Sequence, residues 1–212
     1  MRVRDLMSTN VVVVDEKTLI YQAKKIMQAH KIRRLPVMKK DKLVGLVTER
    51  MLLEASPSEA TSLSIYEMNY ILSKMTVKDL MVKDPDTVPP DMPVEIALQW
   101  GQEKGYGAAP VVEDGKLVGI ATESDLVRFM TKVLGVREKG KRIDVMVERK
   151  FGNMQRIMQI LDKHKTLMLS TLTLPPDEEN GNWLVVLRLD SEDTNPIVEE
   201  LKSLGFDVTY AD

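Results

Sequence analysis

The sequence predicts an α+β protein: two copies of a small β-α-β-β-α unit form a pseudo-symmetric pair, and a ferredoxin-like β-α-β-β-α-β domain follows. The first supporting observation is a duplication, because the run KLVGLVTERML at 42–52 returns 74 residues later as KLVGIATESDL at 116–126. The second is that apolar residues keep the same strand and helix spacings in both copies. The third is a change of pattern after the charged run at 137–141. A period of this length that occurs only twice indicates two packed domains, not a solenoid.

Both copies show the same order of elements. A short strand, at 11–14 in the first copy and around Thr87-Val88 in the second, precedes an amphipathic helix. Two apolar runs separated by a polar turn then predict a β-hairpin, and a second helix begins just after Thr48 or Thr122. The predicted buried face of the first helix is Leu19, Ala23, Ile26, Met27 and His30 in one copy and Val94, Ala97, Leu98 and Gly101 in the other.

A third domain is predicted after the second copy. Gly135 suits the residue that follows a helix, and the charged linker at 137–141 comes next. The patterns beyond it predict strand, helix, hairpin, helix and strand, at 142–148, 154–161, 167–174 with 183–189, 196–204 and 206–210. The expected domains are the first copy at 1–56, a connecting helix at 57–75, the second copy at 76–136 and the tail at 142–212.

Composition excludes several function classes. The 30 Lys and Arg residues nearly balance the 32 Asp and Glu residues, so the net charge of -2 offers no basic field for nucleic acid or an anionic membrane. Cysteine is absent, which removes disulfides, thiolate nucleophiles and cysteine-based metal sites. No apolar run approaches the roughly 18 residues of a membrane span, and the first motif begins at Val3 without room for a signal sequence. We therefore expect a cytoplasmic protein.

The sequence predicts neither a catalytic centre nor a metal site. His30 lies on the apolar stripe of a helix and His164 lies in a charged segment, so both are assigned structural or surface roles. Two isolated histidines form no metal cluster and no nucleophile-histidine constellation. The glycine-rich phosphate-binding and dinucleotide-binding motifs are also absent. The expected protein is not an enzyme and has no catalytic cofactor.

The repeated motifs resemble those of cystathionine-β-synthase-like (CBS) domains. They are V-x-D-L-M from Val3 and Val77, the runs RRLPV at 33–37 and AAPV at 108–111, and L-V-G-x-x-T from Leu43 and Leu117. The resemblance covers residues 1 to about 135. The tail is similar to an ACT domain, in which FGNM-x-x-I at 151–157 stands for the family's P-G-x-L-x-x-I turn. The order CBS-CBS-ACT resembles the acetoin-utilisation regulator (AcuB) family.

The resemblance implies that the pair binds an adenosine nucleotide at the second copy. Asp125 would hold the ribose hydroxyls and Thr122 a phosphate, because a carboxylate accepts two bonds from a cis-diol and a helix N-terminus favours a phosphate. The first copy keeps Thr48, but Met51 stands where the second has its acid, and a thioether is a poor acceptor. One competent site and one doubtful site are expected. The other implied ligand-binding residues are Arg33, Arg34, Thr87, Val88, Pro110 and Val111.

Several of these residues also fit a purely structural role. Thr122 and Asp125 have the spacing of a capping box at a helix start. The arginine pair 33–34 ends a helix, where cations suit the helix dipole, although it could instead reach phosphates across the pair. Gly152-Asn153 could receive an amino-acid carboxylate, as in ACT domains, or form a simple strand-to-helix turn.

Two functions remain open at the sequence level. The first is a regulatory protein whose CBS pair senses an adenosine-containing ligand (AMP, ADP, ATP or S-adenosylmethionine) and whose ACT-like domain mediates homodimerisation or senses an amino acid. The second is a ligand-free oligomerisation module that binds and regulates a metabolic enzyme. The AcuB resemblance implies a place in acetoin or acetyl-coenzyme A metabolism.

Overall fold

The computed structural model describes residues 1–55, 70, 73–136, 139–176 and 181–212. They form two compact units, Met1–Leu126 and Val127–Asp212. The first unit contains nearly all of both sequence copies, and the second contains the tail. Most of the predicted connecting helix at 57–75 lies outside the described residues, as does part of the charged run at 137–141.

The first copy has the predicted β-α-β-β-α order. Its elements are β1 (Val14–Asp15), α1 (Ile20–His30), β2 (Arg34–Lys39), β3 (Lys42–Thr48) and α2 (Glu49–Glu54). β1 runs parallel to β2, and β2 runs antiparallel to β3. The periodic apolar residues Ala23 and Met27 of α1 are buried in one core with Leu35, Val37 and Val47 of the strands.

The second copy repeats this arrangement. It opens with the short strand β4 (Val82–Lys83), and its α3 (Val94–Lys104), β5 (Ala108–Glu113), β6 (Lys116–Thr122) and α4 (Glu123–Val133) correspond to α1, β2, β3 and α2 of the first copy. Val88 forms an isolated parallel bridge to Val111 of β5, which corresponds to the β1–β2 pairing of the first copy. Its buried core is Val3, Val88, Ala109 and Val111.

The two copies exchange their opening segments. Val77, from the start of the second copy, is buried in the core of the first, and Val3, from the start of the first, is buried in the core of the second. β4 pairs with β3 through Val82 and Leu46, and Ser8 forms the equivalent bridge to Ile120. Neither copy therefore completes its core from its own sequence.

The tail has the predicted β-α-β-β-α-β order. Its elements are β7 (Lys141–Val147), α5 (Asn153–Lys163), β8 (Met168–Leu174), β9 (Trp183–Leu189), α6 (Asn195–Ser203) and β10 (Asp207–Ala211). The strands form one antiparallel sheet of order β10-β7-β9-β8. The alternating residues Ile143, Val145 and Val147 of β7 are buried with Ile157 of α5 and Leu201 of α6.

Helix α4 crosses the division between the compact units at Leu126 and Val127. Gly135 follows this helix with a positive φ of 62°, as its position predicts, and the Ser170 hydroxyl donates to Leu134 O at 3.1 Å. The end of the second sequence copy thus packs with the tail. The boundaries at 136 and 142 remain predictions about which segments fold on their own.

Candidate ligand-binding site

The helix that follows each hairpin begins with the same threonine cap. In the first copy, Met51 N–H donates to Thr48 Oγ1 at 3.3 Å. In the second, Asp125 N–H donates to Thr122 Oγ1 at 3.2 Å. A threonine in extended backbone at this place satisfies one of the amides that a helix start leaves unpaired.

The Asp125 carboxylate is buried, with 3% of the residue exposed. Its Oδ2 accepts from Thr122 N–H at 3.0 Å and from Thr122 Oγ1 at 2.7 Å. Its Oδ1 accepts from the Ser8 hydroxyl at 3.0 Å. The bonds with Thr122 are those of a capping box, whereas the bond with Ser8 joins residues 117 positions apart.

The first copy shows that the helix start does not need the acid. There Met51 packs partly buried against the core, and α2 still forms behind its threonine cap. An acid whose carboxyl is buried costs free energy unless it is hydrogen-bonded. The second copy therefore carries a buried carboxylate that the local fold does not require.

Arg34 of the first copy reaches the second. A Cβ built on Gly107 would lie 2.5 Å from Arg34 Nη2 and 3.0 Å from Glu123 Oε2, so the ends of both side chains lie close against this glycine. Arg33 behaves differently: its side chain is 83% exposed and its Nε lies 3.7 Å from Glu49 Oε2 of its own copy. Arg34 thus lies against Gly107 of the opposite copy, beside the first residue of α4.

The second copy contains a cavity of about 370 Å³. Thr122 and Glu123, at the β6–α4 junction, supply polar groups at one side of it, and most of the remaining lining is apolar. Trp100 and Tyr106 line it as an edge-to-face pair with ring centroids 5.6 Å apart. The lining also includes Val88, Gly101, Gly107, Ala108, Ala109 and Ala121.

Small residues make this cavity. At the offset of 74, the cavity residues Gly101, Ala109 and Ala121 correspond to Met27, Leu35 and Val47 of the first copy. Those three larger side chains are buried, with 1%, 0% and 0% exposed. The first copy therefore fills with side chains the volume that the second leaves open.

Only part of the predicted site gathers around the cavity. Thr122 and Val88 line it, while Asp125 lies behind Thr122 and is not part of the lining. Val88 N–H donates to Pro110 O at 3.1 Å, and Pro110 and Val111 are buried in β5. The remaining predicted residues lie elsewhere, since Thr87 is exposed and Thr48 caps α2 in the first copy.

At the predicted ACT-like turn, Gly152 has a φ of +87° and Asn153 begins α5. The Asn153 side-chain amide donates to Glu148 O at 3.0 Å. These contacts are those of a strand-to-helix turn, in which glycine supplies the positive φ.

Sequence reasoning missed four residues of this region: Ser8, Trp100, Tyr106 and Gly107. Comparison of the copies could have suggested the last three, because the first copy has Ile26, Ile32 and Arg33 at these positions. No local signal marks Ser8, whose role depends on the exchanged segments.

Among the described residues, no group of three or more His, Asp or Glu side chains could hold a metal ion. No helix in that part of the chain is long and apolar enough to cross a membrane.

The family model of the CBS domain matches residues 3–58 and 77–132, so the chain belongs to the CBS-domain family. Both matches start at an opening segment that the copies exchange. The family assignment accounts for the repeated β-α-β-β-α units and leaves the tail outside the matched residues.

Three solved structures are similar to the pair. One is an acetoin utilization protein (AcuB) from Vibrio cholerae, 27% identical with a TM-score of 0.55, covering 66% of this chain and 96% of that one. The second is the CBS domain pair of protein MJ0100 in complex with 5′-methylthioadenosine and S-adenosyl-L-methionine, at 26% identity, TM-score 0.52, and 62% and 97% coverage. The third is CBSX2 from Arabidopsis thaliana in complex with AMP, at 30% identity, TM-score 0.52, and 62% and 97% coverage.

Among curated relatives, an uncharacterized 33.4 kDa protein from Thermofilum pendens is 30% identical over 145 residues. The match covers 64% of this chain and 45% of that relative, so the chain spans less than half of its length.

Proposed function

We propose that this chain is a non-catalytic regulatory protein whose CBS pair binds one adenosine-containing nucleotide in the second copy. The observation that carries this proposal is the pairing of a buried acid, Asp125, with an adjoining cavity, in the copy where both depart from the first. The buried acid and the cavity are two differences between the copies that occur at the same place. Their coincidence supports a ligand site over a general feature of packing.

The cavity suits the base and the sugar of a mononucleotide. Ligand pockets in proteins are mostly apolar and have volumes of about 300–1,000 Å³, so a cavity of about 370 Å³ lies at the small end of this range. Trp100 and Tyr106 offer aromatic surface to a planar base. Thr122 and the N-terminus of α4 would receive a phosphate, with the Arg34 guanidinium close by.

The acid would receive the ribose. Asp125 lies directly behind Thr122, and a ribose hydroxyl that reaches its carboxylate gains a charge-assisted hydrogen bond. The ligands bound in two similar structures, AMP in one and 5′-methylthioadenosine with S-adenosylmethionine in the other, support this ligand class. The resemblance to AcuB supports a role in acetoin or acetyl-coenzyme A metabolism.

The tail is proposed to be an ACT-like domain that mediates homodimerisation or senses an amino acid at the 152–153 turn. Its β-α-β-β-α-β order and its sheet order support this assignment. β8 is an edge strand with exposed Leu169 and Leu174, and an exposed apolar edge favours self-association.

The second candidate function is a ligand-free module that oligomerises and binds a metabolic enzyme. The observation that favours it is the exposed apolar surface of the tail, where Leu167 is 70% exposed. This function requires no response to nucleotides, which separates it from the first.

A thermal-shift screen with AMP, ADP, ATP, S-adenosylmethionine and amino acids tests the proposal. A ligand at 100 times its dissociation constant stabilises the folded state by about 2.7 kcal/mol, which raises the melting temperature by several degrees. We expect this rise with at least one adenosine compound and not with GMP at the same concentration. No rise with any adenosine compound would favour the ligand-free module.

A further inference from the structure

Ser8 belongs to the first copy by sequence and contacts the second because the opening segments are exchanged. Its backbone N–H donates to Ile120 O, and its carbonyl oxygen accepts from Ile120 N–H, both at 3.0 Å. These two bonds hold the residue beside β6, two positions before Thr122. From there its Oγ donates to Asp125 Oδ1 at 3.0 Å. The placement of this hydroxyl therefore follows from the backbone ladder.

The first copy shows what the fold requires at this position. At the offset of 74, Val82 replaces Ser8 and Met51 replaces Asp125. Val82 still pairs with Leu46, in the same register as Ser8 with Ile120. An apolar pair thus supports the same ladder, so the exchange of segments does not depend on the hydroxyl. The hydroxyl donor and the acid occur together in one copy and are both absent from the other.

The Ser8 hydroxyl can form more hydrogen bonds than the single one it donates to Asp125. A hydroxyl donates one hydrogen bond and accepts two. The Ser8 hydroxyl donates to Asp125, which leaves its acceptor positions for another donor. A ribose cis-diol carries two neighbouring hydroxyl donors, and adjacent acceptors on Ser8 and Asp125 match such a pair.

We propose that Ser8 is a specificity-determining residue of the second-copy site, an inference that rests on the proposed nucleotide function. Its Oγ accepts a hydrogen bond from one ribose hydroxyl while the Asp125 carboxylate accepts one from the other. The diol is then recognised by residues of both sequence copies. A ligand without one of the hydroxyls loses one of these contacts.

Ser8→Val and Ser8→Thr form a matched pair of variants, since the two side chains have the same shape and differ by a methyl group or a hydroxyl. Val82 shows that a β-branched residue fits this backbone position. Calorimetry would compare AMP, 2′-deoxy-AMP and 3′-deoxy-AMP on the natural chain and both variants. We expect Ser8→Thr to bind AMP like the natural chain and Ser8→Val to bind it about three- to tenfold more weakly. One of the two deoxy analogues lacks the hydroxyl that donates its hydrogen bond to Ser8. The two variants should bind that analogue with equal affinity.

Equal AMP affinity of the two variants would overturn the inference. So would an equal loss for AMP and both analogues, because that indicates a general distortion of the site. Failure of the natural chain to bind AMP also overturns it. In that case a thermal shift with another adenosine compound would leave the proposed nucleotide function standing, and no shift with any of them would remove both.

Discussion

Thr48 and Thr122 cap equivalent helices, but only Thr122 is joined by a carboxylate. The cap in the first copy consists of one bond, from Met51 N–H. The second copy adds the bonds from Thr122 and Ser8 to Asp125. The duplication thus provides an internal comparison, in which the cap is common to both copies and the acid is not.

Restoring the missing acid in the first copy should not create a second site. From the sequence alone, Met51→Asp would add a site if the rest of that cleft were intact. The structure shows the corresponding volume filled by Met27, Leu35 and Val47. We therefore expect a stoichiometry of one nucleotide per chain in calorimetry, and a lower free energy of unfolding because Met51 packs against the core. A stoichiometry of two would show that the first copy also has an open site.

The sequence predicted the contact between Thr122 and Asp125 because residues three apart at a helix start lie side by side. It could not predict Ser8, whose partner is 117 positions away. Arg34 falls between these cases. Its position suggested a reach across the pair, and its Nη2 lies close to Gly107, which the motif did not single out.

The cavity arises where α3, β5 and β6 each carry one small residue in place of a large one. In the first copy, the corresponding volume is filled by larger side chains at the same positions. The pairs are Gly101 and Met27, Ala109 and Leu35, and Ala121 and Val47. An open apolar cavity forfeits packing free energy. The cavity in the second copy therefore supports the proposal that a ligand occupies this volume.

Filling the cavity should abolish nucleotide binding without unfolding the protein. Ala109→Leu introduces the residue that the first copy has at this position, in a strand of the same register. Each buried methylene adds roughly 0.8 kcal/mol of transfer free energy, so the unliganded protein should keep or gain stability. Chemical denaturation and calorimetry with AMP measure the two effects.

The reverse change in the first copy is the control. Leu35→Ala should lower the free energy of unfolding by about 2–5 kcal/mol and leave AMP affinity unchanged. Undiminished AMP binding by Ala109→Leu would place the ligand outside the cavity.

The helices and strands could be predicted because their apolar periods of 3.6 and 2 follow from which face is buried. The cavity could not be predicted in the same way. Leu98 and Gly101 fit the apolar face of α3 equally well whether or not the space beside them is filled. Only the comparison of the two copies distinguishes a packed position from an open one.

The exchange of opening segments links the copies into one folding unit. Removing residues 1–10 should therefore abolish nucleotide binding by the second copy, since Val3 is part of its core and Ser8 contacts Asp125. In contrast, removing 142–212 should leave a folded pair that binds AMP, because the tail has a separate core. Circular dichroism and calorimetry of the two truncations check this. An insoluble or ligand-blind 1–141 fragment would show that the pair depends on the tail.

The intact chain is expected to form a homodimer. The edge strand β8 leaves Leu169 and Leu174 exposed, and covering such an edge is a common basis for symmetric dimers. Multi-angle light scattering should give twice the chain mass of 24.0 kDa across a range of dilutions. A mass of one chain at all concentrations would contradict this.

The order of helices and strands along the chain was predictable because the repeat and the apolar spacings can be read from the sequence. The exchange was not, since the 74-residue repeat is the same whether each opening segment packs on its own copy or on the other. The unit boundary within α4 depends likewise on contacts far apart in sequence, such as that of Ser170 with Leu134.

The proposed role of Asp125 in nucleotide binding is tested most directly by measuring AMP affinity and unliganded stability of the Asp125→Ala variant. Loss of a hydrogen-bonded charge at the ribose costs roughly 1.5–3 kcal/mol, so we predict that AMP affinity falls by about ten- to a hundredfold while the chain stays folded. A purely capping acid would lower the melting temperature by a loss of about 1 kcal/mol and leave affinity unchanged. Reduced stability with unaltered AMP affinity would contradict the proposed site.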